Sequence, residues 1–271
     1  VLGEQALEMA ERIGNPEFTH TARVTLARAN IAVMDFDAAH SLLQRAFKAA
    51  SELDRHADMS VALNFMCLVR LGFGEIDAAR SDAQNALSLA DSVGSHSYAA
   101  VARIGLGRIA AATGQTEQAR EYFQAALGVL RDNTAQHSID GWDDGYRNDA
   151  LLALLADITD LELMAGNVNE AREYLRELLF EAGVNNSVPA QLNALGISCE
   201  LIIQLGDPQF AAQIAVFLRE QPRAYASDRA RASSLLRRLH QSMESHNFES
   251  IVNRPSALQL DDIIRTVFKR L

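Results

Sequence analysis

A recurring helix break constrains the fold of this chain more than any catalytic motif does. Five residues at which a helical pattern stops are separated by intervals of 40, 40, 52 and 40 residues: Met34, Gly74, Gly114, Gly166 and Gly206. Glycine tolerates the left-handed backbone that commonly ends a helix. Since self-similarity at a fixed period is typical of repeat architectures, each interval predicts a pair of helices.

Small residues recur at fixed distances from these breaks. The positions seven residues before, five after and twelve after each break hold, respectively, Ala27, Cys67, Gly107, Thr159 and Cys199; Ala39, Ala79, Ala119, Ala171 and Ala211; and Ala46, Ala86, Ala126, Leu178 and Leu218. Helices that cross closely accept only small side chains at the crossing point. The pattern therefore predicts an all-α fold of stacked antiparallel helix hairpins, without a sheet.

Polar residues that follow the breaks are expected to begin the second helix of each hairpin. Asp35, Asn167 and Asp207 are suited to accept hydrogen bonds from the first free backbone N–H groups of a helix. Pro208 follows Asp207 and fits the first helical turn, where a missing N–H has no cost.

The repeated residues resemble the tetratricopeptide repeat, and the third hairpin carries the resemblance best through Leu106, Gly107, Gly114, Ala119, Phe123 and Ala126. The resemblance covers about residues 1–220, with units of 40 residues instead of the usual ~34. It implies a right-handed superhelical solenoid whose first helices line a concave, peptide-binding face. The long units are also similar to arrays in bacterial signal-transduction ATPases of the maltose-regulon-activator type, in eukaryotic spindle-orientation scaffolds and in peptide-pheromone receptors.

The domain organisation predicted from this pattern is one continuous solenoid. Residues 1–220 form the repeat array, with an insert at about 131–146, and residues 221–271 form capping helices of the same solenoid. The last of these, from Gln259 to Leu271, has apolar residues at helical spacing that could cover the open end of an array. Because the chain starts with Val1 inside a helical pattern, we expect it to be a fragment of a longer protein.

Alignment with the family places a group of polar residues on the concave face. These candidate binding residues are Arg28, Asn64, Arg108, Asp160, Glu200 and Gln204. Arg28 and Arg108 are the cations predicted to meet an acidic or carboxylate-bearing peptide, although each residue of the group could equally be an ordinary solvated side chain.

Two further segments depart from the repeat. The insert contains the only tryptophan, Trp142, followed by Asp143 and Asp144, and it could contact a partner or simply form a solvated connection. Its aspartate spacing does not match a calcium-binding loop. The arginines between Arg219 and Arg238 form a local positive patch that could dock an acidic domain or nucleic acid, or could be a solvated helix face.

Composition limits the remaining classes of function. The net charge of −10 makes direct binding of nucleic acid by this segment unfavourable. No apolar run approaches the ~20 residues of a membrane span, and no signal peptide opens the chain. Cys67 and Cys199 stand alone, so a zinc site is not expected. No phosphate-binding loop or metalloprotease motif is present, so we expect neither an enzyme nor a cofactor.

The sequence therefore predicts a cytoplasmic module that binds proteins, peptides or effectors, acting as a sensor and scaffold within a larger bacterial protein of signal transduction and transcription regulation. Its partner would be a separate protein or peptide, or another domain of the parent chain, and homo-oligomerisation is a further alternative. A free-standing tetratricopeptide adaptor is the alternative within the same class. A helical enzyme that uses the acidic insert is the remote alternative from another class.

Overall fold

The computed structural model describes residues 2–132, 144–252 and 259–271, and it is helical throughout this part of the chain, without a strand. Fourteen helices occur in the described residues: α1 (Leu2–Ile13), α2 (Pro16–Ala32), α3 (Phe36–Glu52), α4 (His56–Phe73), α5 (Ile76–Ser92), α6 (His96–Ala112), α7 (Thr116–Arg131), α8 (Asp144–Ala165), α9 (Val168–Val184), α10 (Val188–Gln204), α11 (Pro208–Glu220), α12 (Ala226–Ser242), α13 (Ser245–Val252) and α14 (Leu260–Arg270). The prediction of an all-α fold is confirmed.

The predicted breaks are confirmed as the turns within the hairpins. All five residues have a positive φ, from 63° at Met34 to 88° at Gly206. A second series of left-handed residues, which the sequence analysis missed, lies midway between them: Gly14, Asp54, Gly94 and Asn186. Left-handed residues thus recur every 20 residues along α1–α7 and again along α8–α11. Each helix and its turn are one unit of length, and two such units form the 40-residue period.

Each turn reuses the same backbone hydrogen bond. The N–H group of the residue after the break donates to the carbonyl oxygen five residues earlier, as from Glu75 to Arg70 at 2.8 Å and from Gln115 to Ala110 at 2.8 Å. This six-to-one bond is the Schellman motif, which satisfies a carbonyl that the end of the helix leaves free.

Two of the three predicted helix caps are confirmed. Asp35 accepts a hydrogen bond from Ala38 N at 3.1 Å, and Asp207 accepts one from Phe210 N at 2.9 Å. The prediction for Asn167 is wrong, because its side-chain amide instead donates to Glu162 Oε2 at 2.6 Å. Asn15 and Ser95, which begin α2 and α6 after the other series of turns, are caps that the sequence analysis missed.

The small residues predicted at helix crossings are all buried. The five alanines that follow the breaks are fully inaccessible, as are Ala27, Cys67 and Thr159 on the first helices. The Thr159 hydroxyl is satisfied within its own helix by the Leu155 carbonyl at 2.7 Å. A small side chain at every crossing explains how helices of the same hairpin pack closely along their length.

The chain forms two compact units: unit 1 is Val1–Leu151 and unit 2 is Leu152–Leu271. Helix α8 contributes its first residues to unit 1 and the remainder to unit 2. In unit 1, sequential helices from α1 to α7 pack against their neighbours. In unit 2, α12 and α13 pack on α11, and α14 packs on α10.

The amphipathic pattern of the last helix is used inside unit 2. Ile263, Val267 and Leu271 are buried, while Arg270 lies 4.4 Å from the centre of the Phe210 ring and forms an ion pair with Asp207. Helix α14 therefore covers the start of α11. That residues 221–271 cap a single solenoid formed by residues 1–220 stays a prediction.

Candidate interaction surfaces on the first helices

The first helices of unit 1 form the surface that we call the unit 1 face: Arg28 of α2, Asn64 and Phe65 of α4, and Arg108 of α6. Arg28 and Arg108 occupy equivalent positions, each six residues before its break. Phe65 and Asn64 are buried, whereas Arg28 and Arg108 are partly exposed. The face thus combines an aromatic ring with cationic groups that solvent can reach.

The start of α8 lies on this face. Asp149 forms an ion pair with Arg28 at 2.5 Å, and the Arg28 guanidinium carbon lies 5.4 Å from the centre of the Tyr146 ring and 5.8 Å from that of Phe65. The rings of Tyr146 and Phe65 are 6.1 Å apart in an edge-to-face arrangement. Arg28 is therefore held by two aromatic rings and a carboxylate, one ring and the carboxylate coming from the same helix.

The tyrosine hydroxyl is shielded from water at this contact. Burial raises the pKa of Tyr146, the nearby Tyr98 and Asp149 add to that rise, and the positive charge of Arg28 opposes it. Tyr146 consequently stays neutral and acts here through its ring and its hydroxyl.

Asn64 is an incompletely satisfied polar group beside this contact. Its side chain is buried, with an accessible fraction of 5%. Within the residues that the structure describes, its amide nitrogen has no hydrogen-bond acceptor. A buried amide donor without an acceptor is unfavourable, and a ligand carbonyl that filled the position would remove the cost.

The first helices of unit 2 form the surface that we call the unit 2 face: Asp160 of α8, and Asn193, Gly196 and Glu200 of α10. Both acidic residues predicted for the concave face are engaged by arginines of α12. Arg231 binds both carboxylate oxygens of Asp160, at 2.9 and 2.5 Å, and Arg238 binds both oxygens of Glu200, each at 2.6 Å.

A glycine makes the longer of these two bridges possible. A side-chain carbon at Gly196 would lie 3.8 Å from Arg231 Cδ, so the arginine stem passes over α10 where that helix has no side chain. Beside it, Asp228 is buried and accepts a hydrogen bond from Asn193 at 2.8 Å. Burial raises the pKa of Asp228, while this bond and the charge of Arg231 partly offset the rise.

The predicted positive patch is therefore partly neutralised within unit 2. Besides Arg231 and Arg238, Arg229 donates to the Ala224 carbonyl at 2.5 Å. Arg219 and Arg237 instead border a cleft of about 320 Å³ whose lining also includes Leu236, Phe248 and Val252.

The remaining candidate residues are not brought together by the described structure. Gln204 is the exposed last residue of α10. Trp142 and Asp143 lie outside the described residues, and Asp144 is the first residue of α8, with a side chain that also lies outside them.

Nucleophiles and metal ligands in the described chain do not form a reactive centre. Cys67 and Cys199 are free and buried, and burial raises the pKa of each thiol to about 12. This environment confirms the expectation of unactivated thiols. No group of three or more His, Cys, Asp or Glu side chains in this part of the chain could hold a metal ion. Nor is any described helix long and apolar enough for a membrane crossing.

The structure adds residues that the sequence analysis missed. Phe65, Tyr146 and Asp149 complete the environment of Arg28, and Arg231 and Arg238 complete those of Asp160 and Glu200. The available signal was the length of α8, which has 22 residues where the other first helices have 17 or 18.

Comparison with known proteins supports the repeat class. Residues 58–132, which include nearly all of the two hairpins α4–α5 and α6–α7, match the tetratricopeptide repeat family. Arrays of this repeat are scaffolds for protein–protein interaction, and that is the class of protein the matched hairpins define. No curated protein matches the sequence.

Solved structures with a similar arrangement have low sequence identity. BtubC (BKLC) from P. vanneervenii is 18% identical, with a TM-score of 0.48 over 95% of this chain and 92% of that one. TTC0263, a TPR protein of Thermus thermophilus, is 19% identical, with a TM-score of 0.47 over 80% of this chain and 98% of that one. TPR-like repeats from Podosopora anserina are 14% identical, with a TM-score of 0.47 over 79% of this chain and 96% of that one.

Proposed function

We propose that this chain is a protein-interaction module that binds a peptide or a segment of a partner protein through the first helices of its hairpins. The observation that carries the proposal is the contrast between the crossing positions and the face positions. The crossing positions repeat the same small residues in every hairpin. The positions six residues before the breaks are instead Arg28, Leu68, Arg108, Asp160 and Glu200.

A purely structural array has no need of such variety. Charged and polar groups that differ from one repeat to the next create a surface with distinct chemical positions, as recognition of one partner requires. Arg28 and Arg108 would attract acidic groups in unit 1. The Asp160 and Glu200 carboxylates would be available in unit 2 only to a partner that competes with α12.

At a finer level, we propose that the module senses its partner within a larger cytoplasmic bacterial regulator. A ligand that binds one state of the parent protein more tightly than the other shifts the population toward that state. Another domain of the parent chain, or a second copy, could occupy the same surface. An upstream phosphate-binding loop and a DNA-binding segment in the open reading frame would support the regulator, and a start codon near Val1 would support the free-standing adaptor.

The experiment that tests the proposal compares two pairs of neutralising substitutions. The partner is first captured by cross-linking in cells of the source organism and identified, and its affinity is then measured by isothermal titration. Arg28→Gln with Arg108→Gln removes two charges from the unit 1 face, and we expect at least a ~10-fold loss of affinity. The control, Arg12→Gln with Lys48→Gln, makes the same change in net charge on the second-type helices α1 and α3.

Equal losses in both pairs would contradict the proposal, because they would indicate a general charge effect. A loss of binding on Trp142→Ala or Arg237→Ala, with unchanged affinity in the Arg28 and Arg108 variant, would move the binding surface to the insert or to α12.

A further inference from the structure

We infer that the unit 1 face recognises a helical segment that carries an aromatic residue and, three residues later, a carboxylate, and that the start of α8 is its built-in occupant. The inference rests on the proposed function and specifies the chemistry of the partner. A partner with the same pair of groups would bind by displacing Tyr146 and Asp149 from Arg28 and Phe65.

The contacts already define the chemistry. Tyr146 and Asp149 are three residues apart on one helix, so their side chains lie on the same side of it. Both engage Arg28, one through its ring face and the other through its carboxylate, and the ring also packs against Phe65. An aromatic group and an acid at this spacing are thus the groups that the face accommodates.

The repeat itself does not require this contact. In the other hairpins the residue 20 positions before the break is a left-handed turn residue, such as Asp54 before Gly74 or Gly94 before Gly114. The equivalent position before Gly166 is Tyr146, which is helical because α8 begins at Asp144. The turn that carries Tyr146 is therefore an addition to the repeat, and it is seated on the face where this repeat family binds peptides.

The occupant is held by groups that solvent reaches. The Arg28 side chain is 36% exposed and that of Asp149 is 54% exposed. Ion pairs and cation–π contacts at exposed positions are individually weak. An external segment with the same chemistry can therefore compete, although the covalently attached occupant has the advantage of a high local concentration.

Asn64 gives an external segment something further to bind. Its buried amide nitrogen, on the residue next to Phe65, has no acceptor in the described part of the chain. A carbonyl group of an incoming peptide that met it would add a hydrogen bond.

The test uses a fluorescein-labelled peptide with the sequence of residues 144–151 as the probe and fluorescence anisotropy as the readout. The receptors are the full chain and its Tyr146→Ala/Asp149→Asn variant, in which the occupant is removed. We expect the variant to bind the peptide at least ~10-fold more tightly than the unaltered chain, because its binding-competent fraction is larger. Adding Arg28→Gln to this variant should abolish the gain.

Matched controls separate recognition from general loosening. Met164→Ala changes an 83% exposed residue of the same helix, and it should bind the peptide as weakly as the unaltered chain does. Tyr146→Phe with Asp149 retained keeps the ring and the carboxylate, so it should also behave like the unaltered chain. A peptide with alanine in place of its tyrosine should not bind the Tyr146→Ala/Asp149→Asn variant.

Equal affinity for the unaltered chain and the Tyr146→Ala/Asp149→Asn variant, in samples whose far-ultraviolet circular dichroism shows the same helicity, would overturn the inference. So would tight binding that survives Arg28→Gln. Neither outcome touches the proposed function, which is decided separately by the affinity of the captured partner for the Arg28 and Arg108 variant.

Discussion

Replacing Gly107 by alanine tests the packing of the third hairpin directly. A β-carbon at Gly107 would lie 2.4 Å from Phe123 Cε1 and 2.5 Å from Phe123 Cδ1. Carbon atoms in contact are about 3.5–4.0 Å apart, so the ring would have to withdraw by about 1 Å. Phe123 is 1% exposed, and a close-packed interior leaves no space for that movement.

The expected magnitude follows from two opposing effects. Overpacking of this kind costs about 1–3 kcal/mol. Alanine is favoured over glycine inside a helix by about 0.8–1 kcal/mol, which offsets part of that cost. We therefore expect Gly107→Ala to lower the free energy of unfolding by about 0–2 kcal/mol, with Gly107→Leu at or above the upper end because its side chain is larger.

Gly128→Ala is the matched control. Gly128 lies in α7, the partner helix of the same hairpin, and a β-carbon there would meet no atom within 4 Å. This variant should gain up to ~1 kcal/mol from helix propensity alone. The difference between the two variants, about 1–3 kcal/mol, then isolates the overpacking.

The assay is urea denaturation followed by circular dichroism, with hydrogen exchange to localise the change to α6 and α7. In a double-mutant cycle, Phe123→Leu should relieve Gly107→Ala, with a coupling energy of about 1 kcal/mol. Equal midpoints for Gly107→Ala and Gly128→Ala, or an additive cycle, would refute the assignment of Gly107 to a helix crossing.

Three further measurements test the environments described above. Gly196→Leu should lower the urea midpoint by blocking the path of Arg231, whereas Gly196→Ala should not, because its β-carbon would be at ordinary contact distances of 3.7 and 3.8 Å. Burial raises the pKa of Asp228, so the folded state holds that proton more tightly, and stability should rise as the pH falls from above the raised pKa toward the ordinary value of 3.8; Asp228→Asn should lose this component in pH-dependent urea titrations. Cys67 and Cys199, with thiol pKa values raised to about 12, should react with a disulfide reagent at pH 8 only after unfolding, and rapid reaction of the native chain would contradict their burial.

Local chemistry made much of the fold predictable from the sequence. A left-handed residue that ends a helix, an aspartate that accepts from the next turn and a small residue at a crossing act over a few positions. Gly114, Asp35 and Ala119 could therefore be assigned without tertiary information. The same reasoning missed the turns at Asp54 and Asn186, because neither residue is a glycine and local chemistry alone does not distinguish them from other polar surface residues.

The sequence by itself determined the period, the hairpins and which residues are small enough to lie between helices. Only the tertiary structure decided which charges meet, because the partners are far apart along the chain: Arg28 pairs with Asp149, 121 residues away, and Arg231 with Asp160, 71 residues away. Alignment could place Arg28 on a face, but it could not show that the extra turn of α8 already lies there. Pairing of charges depends on the positions of whole helices, which burial of their apolar residues establishes over distances that no sequence motif spans.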